Sequence, residues 1–200
     1  MGRRLAILTA SACLAGTAHA ATITPTTATA PSQFPGYEAP FAIDTGGNRF
    51  VTDFAAQGTG AGSTITFGLG GSFTLGSALI TDRTTSGGRN GGFVGGISDF
   101  TTRYRLDFAN DPSFGTILGS YTSPVLTVPV GPTTVASFQT SPTFASPITA
   151  QFVRYTVLAA QGGNPGLADI QFNTVRTPSP GSLALAALGL MGLGLVRRRG

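Results

Sequence analysis

The sequence predicts an all-β fold, an antiparallel β-sandwich, on three observations. From Ser63 onward apolar and polar residues alternate in short runs, as in Ile65, Phe67, Leu69 and again in Tyr104, Leu106, Phe108. That is the period of a half-buried strand. Glycine and proline, 29 and 13 of the 200 residues, punctuate those runs where turns are needed. No stretch between the two ends of the chain carries helical periodicity of useful length. Short strands separated by Gly/Pro turns bury one face each only by packing as two sheets.

The chain opens on an export signal. Arg3 and Arg4 precede an uncharged, mostly apolar run from Leu5 to Thr17, and Ala18-His19-Ala20 forms an A-x-A cleavage site. Residues 1–20 therefore read as a signal helix recognised by Sec-type export machinery, with Ala21 as the mature start. Cys13 offers an alternative lipoprotein site, but Ala10 is a poor match and the apolar run would be very short. Residues 21–33, rich in Thr, Ala and Pro, read as an extended arm with one strand at Thr22–Thr24. Phe34 to Phe41 holds two prolines and three aromatics and reads as irregular but packed.

Strands follow. A glycine turn at Gly46-Gly47 leads into Phe50–Phe54. Ser63–Leu69 alternates, Gly70-Gly71 reads as a tight turn, and Phe73–Ile80 is the next strand. Thr84–Gly96 is a Gly-rich loop. Arg103–Phe108 alternates strictly, with Tyr104, Leu106 and Phe108 facing in and Arg103, Arg105 and Asp107 facing out. Further runs fall at Thr116–Tyr121, Val125–Val130 and Thr134–Gln139, with prolines 124, 129, 132, 142 and 147 protecting edges. Phe152–Leu158 is a strong strand, Gln161–Pro165 a turn, and Leu167–Phe172 closes the domain. The expected core is Ile65, Phe67, Leu69, Tyr104, Leu106, Phe108, Val153, Tyr155, Ile170 and Phe172.

The C-terminal end is organised differently. Residues 174–182 form a linker containing Pro178-Ser179-Pro180, and residues 183–200 form an apolar run ending in Arg197, Arg198 and Arg199. The uncharged run from Leu183 to Val196 is satisfied in lipid only as a helix, and the arginines act as a stop to transfer. A full span needs about 20 apolar residues, so this Gly/Ala-rich helix is short. It reads either as a plain membrane anchor or as a temporary anchor that doubles as a processing signal.

Composition excludes several functions. The formal charge is +4, but five of the 12 arginines lie in the two targeting ends, leaving 7 arginines against 8 acidic residues between them. Nucleic acid, which needs a clustered basic face, is not an expected partner. The only Cys and the only His are Cys13 and His19, both in the signal. The exported chain thus has no disulfide, no Ser-His-Asp or Cys-His machinery and no His- or Cys-ligated zinc. Its 156 residues from Ala21 to Arg176 suit one domain that folds on its core.

Two resemblances add to this reading. Pro178-Ser179-Pro180, the Gly/Leu-rich helix and Arg197–Arg199 resemble the PEP-CTERM sorting tail of Gram-negative bacteria, with Ser in place of the motif's Glu. The resemblance implies handling by exosortase, a membrane-embedded cysteine protease-like enzyme. It further implies transient inner-membrane anchoring, then release to the cell surface or extracellular matrix. Separately, Ala42-Ile43-Asp44, Thr52-Asp53-Phe54 and Ile65-Thr66-Phe67-Gly68-Leu69-Gly70 resemble the opening of a discoidin, or factor 5/8 type C, domain. Phe152-Val153-Arg154-Tyr155 and Gly166-Leu167-Ala168-Asp169-Ile170 resemble its last strands. Phe54 replaces that family's tryptophan and Asp169 its late Glu. The resemblance spans residues 34–173 and implies a jelly-roll-like, galactose-binding-like sandwich, flanked here by the signal helix and the transmembrane helix.

The discoidin resemblance implies a structural Ca²⁺ held by Asp44, Thr52 and Asp169 with backbone carbonyls; hard oxygens suit that ion. The bland alternative is that Asp44 caps a turn and Asp169 is an exposed strand residue. Arg83, Arg89, Asn90 and Asp99 are the candidate glycan contacts in the loops, with Tyr104 nearby. Arg103 and Arg105 read as solvated surface, and Arg154 as structural. Asp82, Asp99 and Asp107 are the carboxylates available for glycoside hydrolysis. The expected function is non-enzymatic binding of carbohydrate or another surface, at the cell surface or in an exopolysaccharide matrix. A purely structural matrix protein and a carboxylate-based glycoside hydrolase are the alternatives.

Overall fold

A computed structural model describes residues 20–44, 54–58, 60–83, 99–128 and 138–175. Residues 21–175 form one compact unit. Among the described residues it has nine antiparallel strands: β1 (Thr22–Ile23), β2 (Thr27–Thr29), β3 (Phe54–Ala55), β4 (Thr64–Asp82), β5 (Phe100–Ala109), β6 (Gly119–Thr122), β7 (Gln139–Thr140), β8 (Thr143–Gln161) and β9 (Gly166–Thr174). The predicted signal helix, the Pro178–Pro180 motif and the C-terminal helix lie outside the described residues. No helix among the described residues is long and apolar enough to cross a membrane.

β4 and β8 are each 19 residues long, and each runs through both layers of one continuous nine-stranded sheet. The first half of β4 lies between β2 and the second half of β8, with Thr29↔Thr66 and Thr66↔Arg154 in register. That part of β8 continues to β5 and β6 through Arg154↔Asp107 and Asp107↔Ser120. The second half of β4 lies between β9 and the start of β8, with β7 beside it. β1 and β3 complete this second sheet on β9. The arm that precedes Phe34 therefore supplies two strands. Ala21 O accepts the Thr174 N–H at 2.9 Å, so the two ends of the unit lie side by side.

The predicted turn at Gly70-Gly71 is instead a corner inside β4. Pairing slips between Gly68 and Phe73, where five steps along β4 answer two along β8. Extra residues of this kind bend a strand and let it change sheets. Gly70 has φ +78°, and a Cβ there would come within 2.8 Å of Thr26, so glycine chemistry is needed although the strand does not reverse. β8 is likewise longer than the predicted Phe152–Leu158. Pro147 falls within its first half, whose one described strand partner is β4; an edge tolerates the missing N–H. The expected strand at Thr116–Tyr121 is displaced to Gly119–Thr122. Val125–Val128 is not a strand, and of Thr134–Gln139 the described end falls in β7.

All ten expected core residues are buried, each at 2% exposure or less, and they belong to one cluster shared by both sheets. The period-two pattern fixes which face of each strand turns in. Each large buried side chain then contributes about 1.5–3 kcal/mol, in a chain that has no disulfide to help.

One close approach tests this packing. Gly166 pairs with Ala55, and a Cβ at Gly166 would collide with the Phe54 carbonyl. Gly166→Ala is expected to cost about 3 kcal/mol by overpacking, a melting-temperature fall of roughly 6–12 °C. Gly163→Ala, with open space around it, should leave the melting temperature unchanged. Equal melting temperatures in calorimetry would show that β3 is not held against β9 as described.

Candidate functional site

Three chain segments meet at one end of the sandwich: the end of β4, the start of β5 and the turn between β8 and β9. Asp82 closes β4 and is buried. Its carboxylate accepts the N–H of Arg83 at 2.7 Å and the N–H of Thr101 at 3.1 Å. Burial raises its pKa well above the usual carboxylate value, and these hydrogen bonds only partly oppose that. Asp82 thus fixes where β4 stops relative to β5, and the next residue leaves the strand at a defined point.

That residue is Arg83. Its Nη1 donates to the Asn164 carbonyl at 2.5 Å and lies 3.7 Å from Asp99 Oδ2. Asp99 Oδ1 accepts the Asn164 N–H at 3.1 Å, closing a triangle that ties the three segments together. The guanidinium also lies 4.7 Å from the centroid of the Tyr37 ring, a cation–π contact. Phe34 stands edge-on to Tyr37 at 5.8 Å and is 38% exposed. Of the four glycan contacts expected from sequence, the structure brings Arg83 and Asp99 together. Arg89 and Asn90 lie outside the described residues. Arg83 is itself 4% exposed, so it braces this end and positions Tyr37 and Asn164.

Tyr104 does not reach this end. It is a core residue, stacked on Tyr155 at 5.0 Å with its hydroxyl 3.0 Å from Thr140 Oγ1, and burial pushes its pKa up. The aromatic group beside the polar fork is the Phe34–Tyr37 pair. Its sequence signal was present: two aromatics flanking Pro35-Gly36, a dipeptide that exposes what adjoins it.

The Ca²⁺ residues are placed in part. Asp44 follows the 3-10 helix Ala39–Ile43, which packs against β9. Asp169 lies on β9, directly opposite Thr81, and its Oδ2 accepts from Gln171 at 3.1 Å. It is buried at 3% exposure, where the sequence alternative had it exposed. Thr52 lies outside the described residues. Among the described residues no group of three His, Cys, Asp or Glu is poised to hold a metal ion. The two aspartates are of the hard-oxygen type that Ca²⁺ takes, on two elements in contact.

The remaining carboxylate is elsewhere. Asp107 is on the outer face of its strand, as alternation requires, yet it is 2% exposed. Arg105 and Arg154 both donate to its Oδ2, and Ser120 donates to its Oδ1 at 2.7 Å. Burial pushes its pKa up, but the hydrogen bonds from Ser120, Arg154 and Arg105 outweigh it and hold the carboxylate below its usual value. Asp107 is six residues along β5 from Thr101, to which Asp82 is bonded, or about 20 Å of strand. A glycosidase pair needs roughly 5–10 Å, so Asp82 and Asp107 do not form one. Asp99 is engaged by Arg83 and Asn164.

Neither a protein-family model nor a curated protein sequence matches the chain. Solved structures do. The family 32 carbohydrate-binding module of NanJ from C. perfringens, in complex with galactose, is 23% identical, with 76% of this chain covering 98% of that one at a TM-score of 0.55. A fucose-binding module from Streptococcus pneumoniae is 14% identical over 78% of this chain and 96% of that one, at 0.54. A variant of chitosan-binding module 1 from a chitosanase/glucanase of Paenibacillus sp. IK-5 is 21% identical over 78% and 99%, at 0.52. The chain therefore shares the fold of these three sandwich modules.

The electrostatics of this end are testable. The Asp82 pKa is raised on folding, so the folded chain binds the extra proton. Stability is then fully present below the unfolded value near 4 and declines as pH rises through the folded value. Asp82→Asn keeps an acceptor for Thr101 and removes the titration. Its melting temperature should exceed that of the parent at pH 7 and match it near pH 4. A variant that is less stable at pH 7 by more than at pH 4 would mean that Asp82 is needed as an anion.

Proposed function

We propose that the chain is an exported, non-enzymatic carbohydrate-binding protein, and that it recognises sugar at the loop end around Arg83. The observation that carries this reading is the juxtaposition of an aromatic pair, exposed Phe34 and half-buried Tyr37, with a braced polar fork. Sugar recognition combines an apolar ring face with a few fixed hydrogen-bonding groups, and the fold is one that modules binding galactose, fucose and chitosan also use. Arg89 and Asn90 join this site in the proposal. A Ca²⁺ held in part by Asp44, Thr52 and Asp169 is proposed as a structural ion that fixes the segment leading to β3.

The destination is the cell surface or an exopolysaccharide matrix, reached through cleavage before Ala21 and sorting of residues 174–200 by an exosortase-type enzyme. The low charge of the chain, 10% charged residues, also suits a structural matrix protein with no defined ligand, which is the second reading.

A glycan array separates the two. Binding to galactose-type or amino-sugar glycans is expected, Phe34→Ala should abolish it while lowering the melting temperature by only about 2–5 °C, and Arg83→Ala should lower both. EDTA treatment should reduce the melting temperature if the ion is present. Binding to no glycan would leave the structural reading. For sorting, mass spectrometry of surface-associated protein should find a C-terminus near Pro178–Pro180. An intact Arg197–Arg199 on that form would restore the plain membrane anchor.

A further inference from the structure

The outer face of the first sheet carries a second arrangement, separate from the loop end. Side chains that are cross-strand partners share a face, and the register lines up two polar rows. One runs Thr29, Thr66, Arg154, Asp107, Ser120 across five strands. The other runs Thr64, Thr156, Arg105, Thr122 across four. Neighbouring positions in a row are about 4.8 Å apart and the rows about 7 Å apart. This is a platform of hydroxyl groups with two guanidinium groups near its middle.

The guanidinium groups are set, not loose. Both are anchored on the buried Asp107, Arg105 through Nε and Nη2 at 3.1 and 2.9 Å and Arg154 through Nη2 at 3.2 Å. Arg154 also lies 4.5 Å from the centroid of the Phe114 ring. Phe114 is held at φ +57°, a conformation that L residues rarely adopt. Asp111 imposes it: its carboxylate accepts from Ser113 N, Ser113 Oγ and Gly115 N. The loop is thus folded so that an aromatic ring supports Arg154. Strain of this kind persists where the surroundings over-determine it and points toward a site.

Satisfying Asp107 does not exhaust the two arginines. Each guanidinium has five N–H groups, and the contacts to Asp107 use two on Arg105 and one on Arg154. The two side chains remain 43% and 29% exposed. The two guanidinium groups share the single buried carboxylate of Asp107.

We infer that this face binds an anionic polysaccharide carrying carboxylates, a uronate-bearing chain that lies across the strands with a carboxylate on Arg105 and Arg154 and its hydroxyls on the threonine rows. Guanidinium forks match planar carboxylates, and threonine hydroxyls both donate to and accept from sugar hydroxyls. Two cations are too few to track a nucleic acid backbone, and the breadth of the platform suits an extended ligand better than a single small anion.

Affinity electrophoresis of the full chain tests it. Gels containing polygalacturonate or alginate should retard the protein, and neutral galactan should not do so through this face. Arg105→Gln should weaken retardation by the acidic polymers roughly tenfold or more. Arg103→Gln, the same charge change on the same strand, should leave it within about twofold. Because Asp107 keeps Arg154 and Ser120, Arg105→Gln should stay folded by circular dichroism. Thr122→Glu, on the exposed edge strand opposite Arg105, should also abolish retardation without touching Asp107. Equal losses for Arg103→Gln and Arg105→Gln would reduce the effect to overall charge and overturn the site. Retardation by dextran sulfate, or binding to anionic vesicles, as strong as that by polygalacturonate would overturn the carboxylate assignment. The Phe34→Ala variant should retain acidic binding, so failure of the loop-end reading is distinguishable from failure of this one.

Discussion

The pairing of β4 with β8 is the interaction on which the rest of the structure depends. Both strands run for 19 residues, and in each sheet the other long strands attach to one or both of them. Because both strands pass from one sheet to the other, the two layers are joined covalently at the corners as well as by the core between them. That matters in a chain whose only cysteine is Cys13. Stability must come from side-chain burial and from strand register, since a one-residue slip would turn every inward side chain outward. The two places of chemical interest follow from the same pair. β4 ends at Asp82 and hands Arg83 to the loop end, while β8 and β5 carry Arg154, Arg105 and Asp107 to the outer face.

The sequence made the strand faces legible because alternation is a local property. Ile65 and Phe67, or Tyr104, Leu106 and Phe108, identify an inward face without knowledge of the partner strand. What alternation does not reveal is what covers the other face. Asp107 points outward as expected, yet it is buried, with Arg105 from β5, Arg154 from β8 and Ser120 from β6 bonded to it. Those contacts are set by register between distant segments. The glycine pair at Gly70-Gly71 misled for a related reason. A positive φ is needed both at a hairpin turn and at a strand corner, so the local chemistry is the same while the consequence for the chain differs. Arg83 was legible as a loop residue but not as a brace, since its partners Asn164 and Tyr37 lie far away in sequence.

The fold by itself does not choose a ligand. Structures built on the same plan are found with galactose or named for fucose and chitosan, so specificity resides in side chains grafted onto the sandwich. This chain carries two sets of polar and aromatic side chains with different chemistry. At the loop end an aromatic pair adjoins a charge-compensated fork, Arg83 with Asp99. On the sheet face hydroxyl rows surround two half-exposed guanidinium groups that share the carboxylate of Asp107. The first suits a neutral sugar and the second an acidic one, which would allow one module to hold a matrix of mixed polysaccharides at two points and gain by multivalency.

The measurement that bears most directly on this account is an amide-resolved magnetic resonance titration of residues 21–175 with galactose-type and uronate oligosaccharides in turn. The account predicts that the neutral sugar shifts the signals of Phe34, Tyr37 and Asn164. It predicts that the uronate shifts those of Thr66, Arg105, Ser120 and Arg154, with little overlap between the two sets. Saturating sugar that shifts neither set, or that shifts residues outside both, would contradict it.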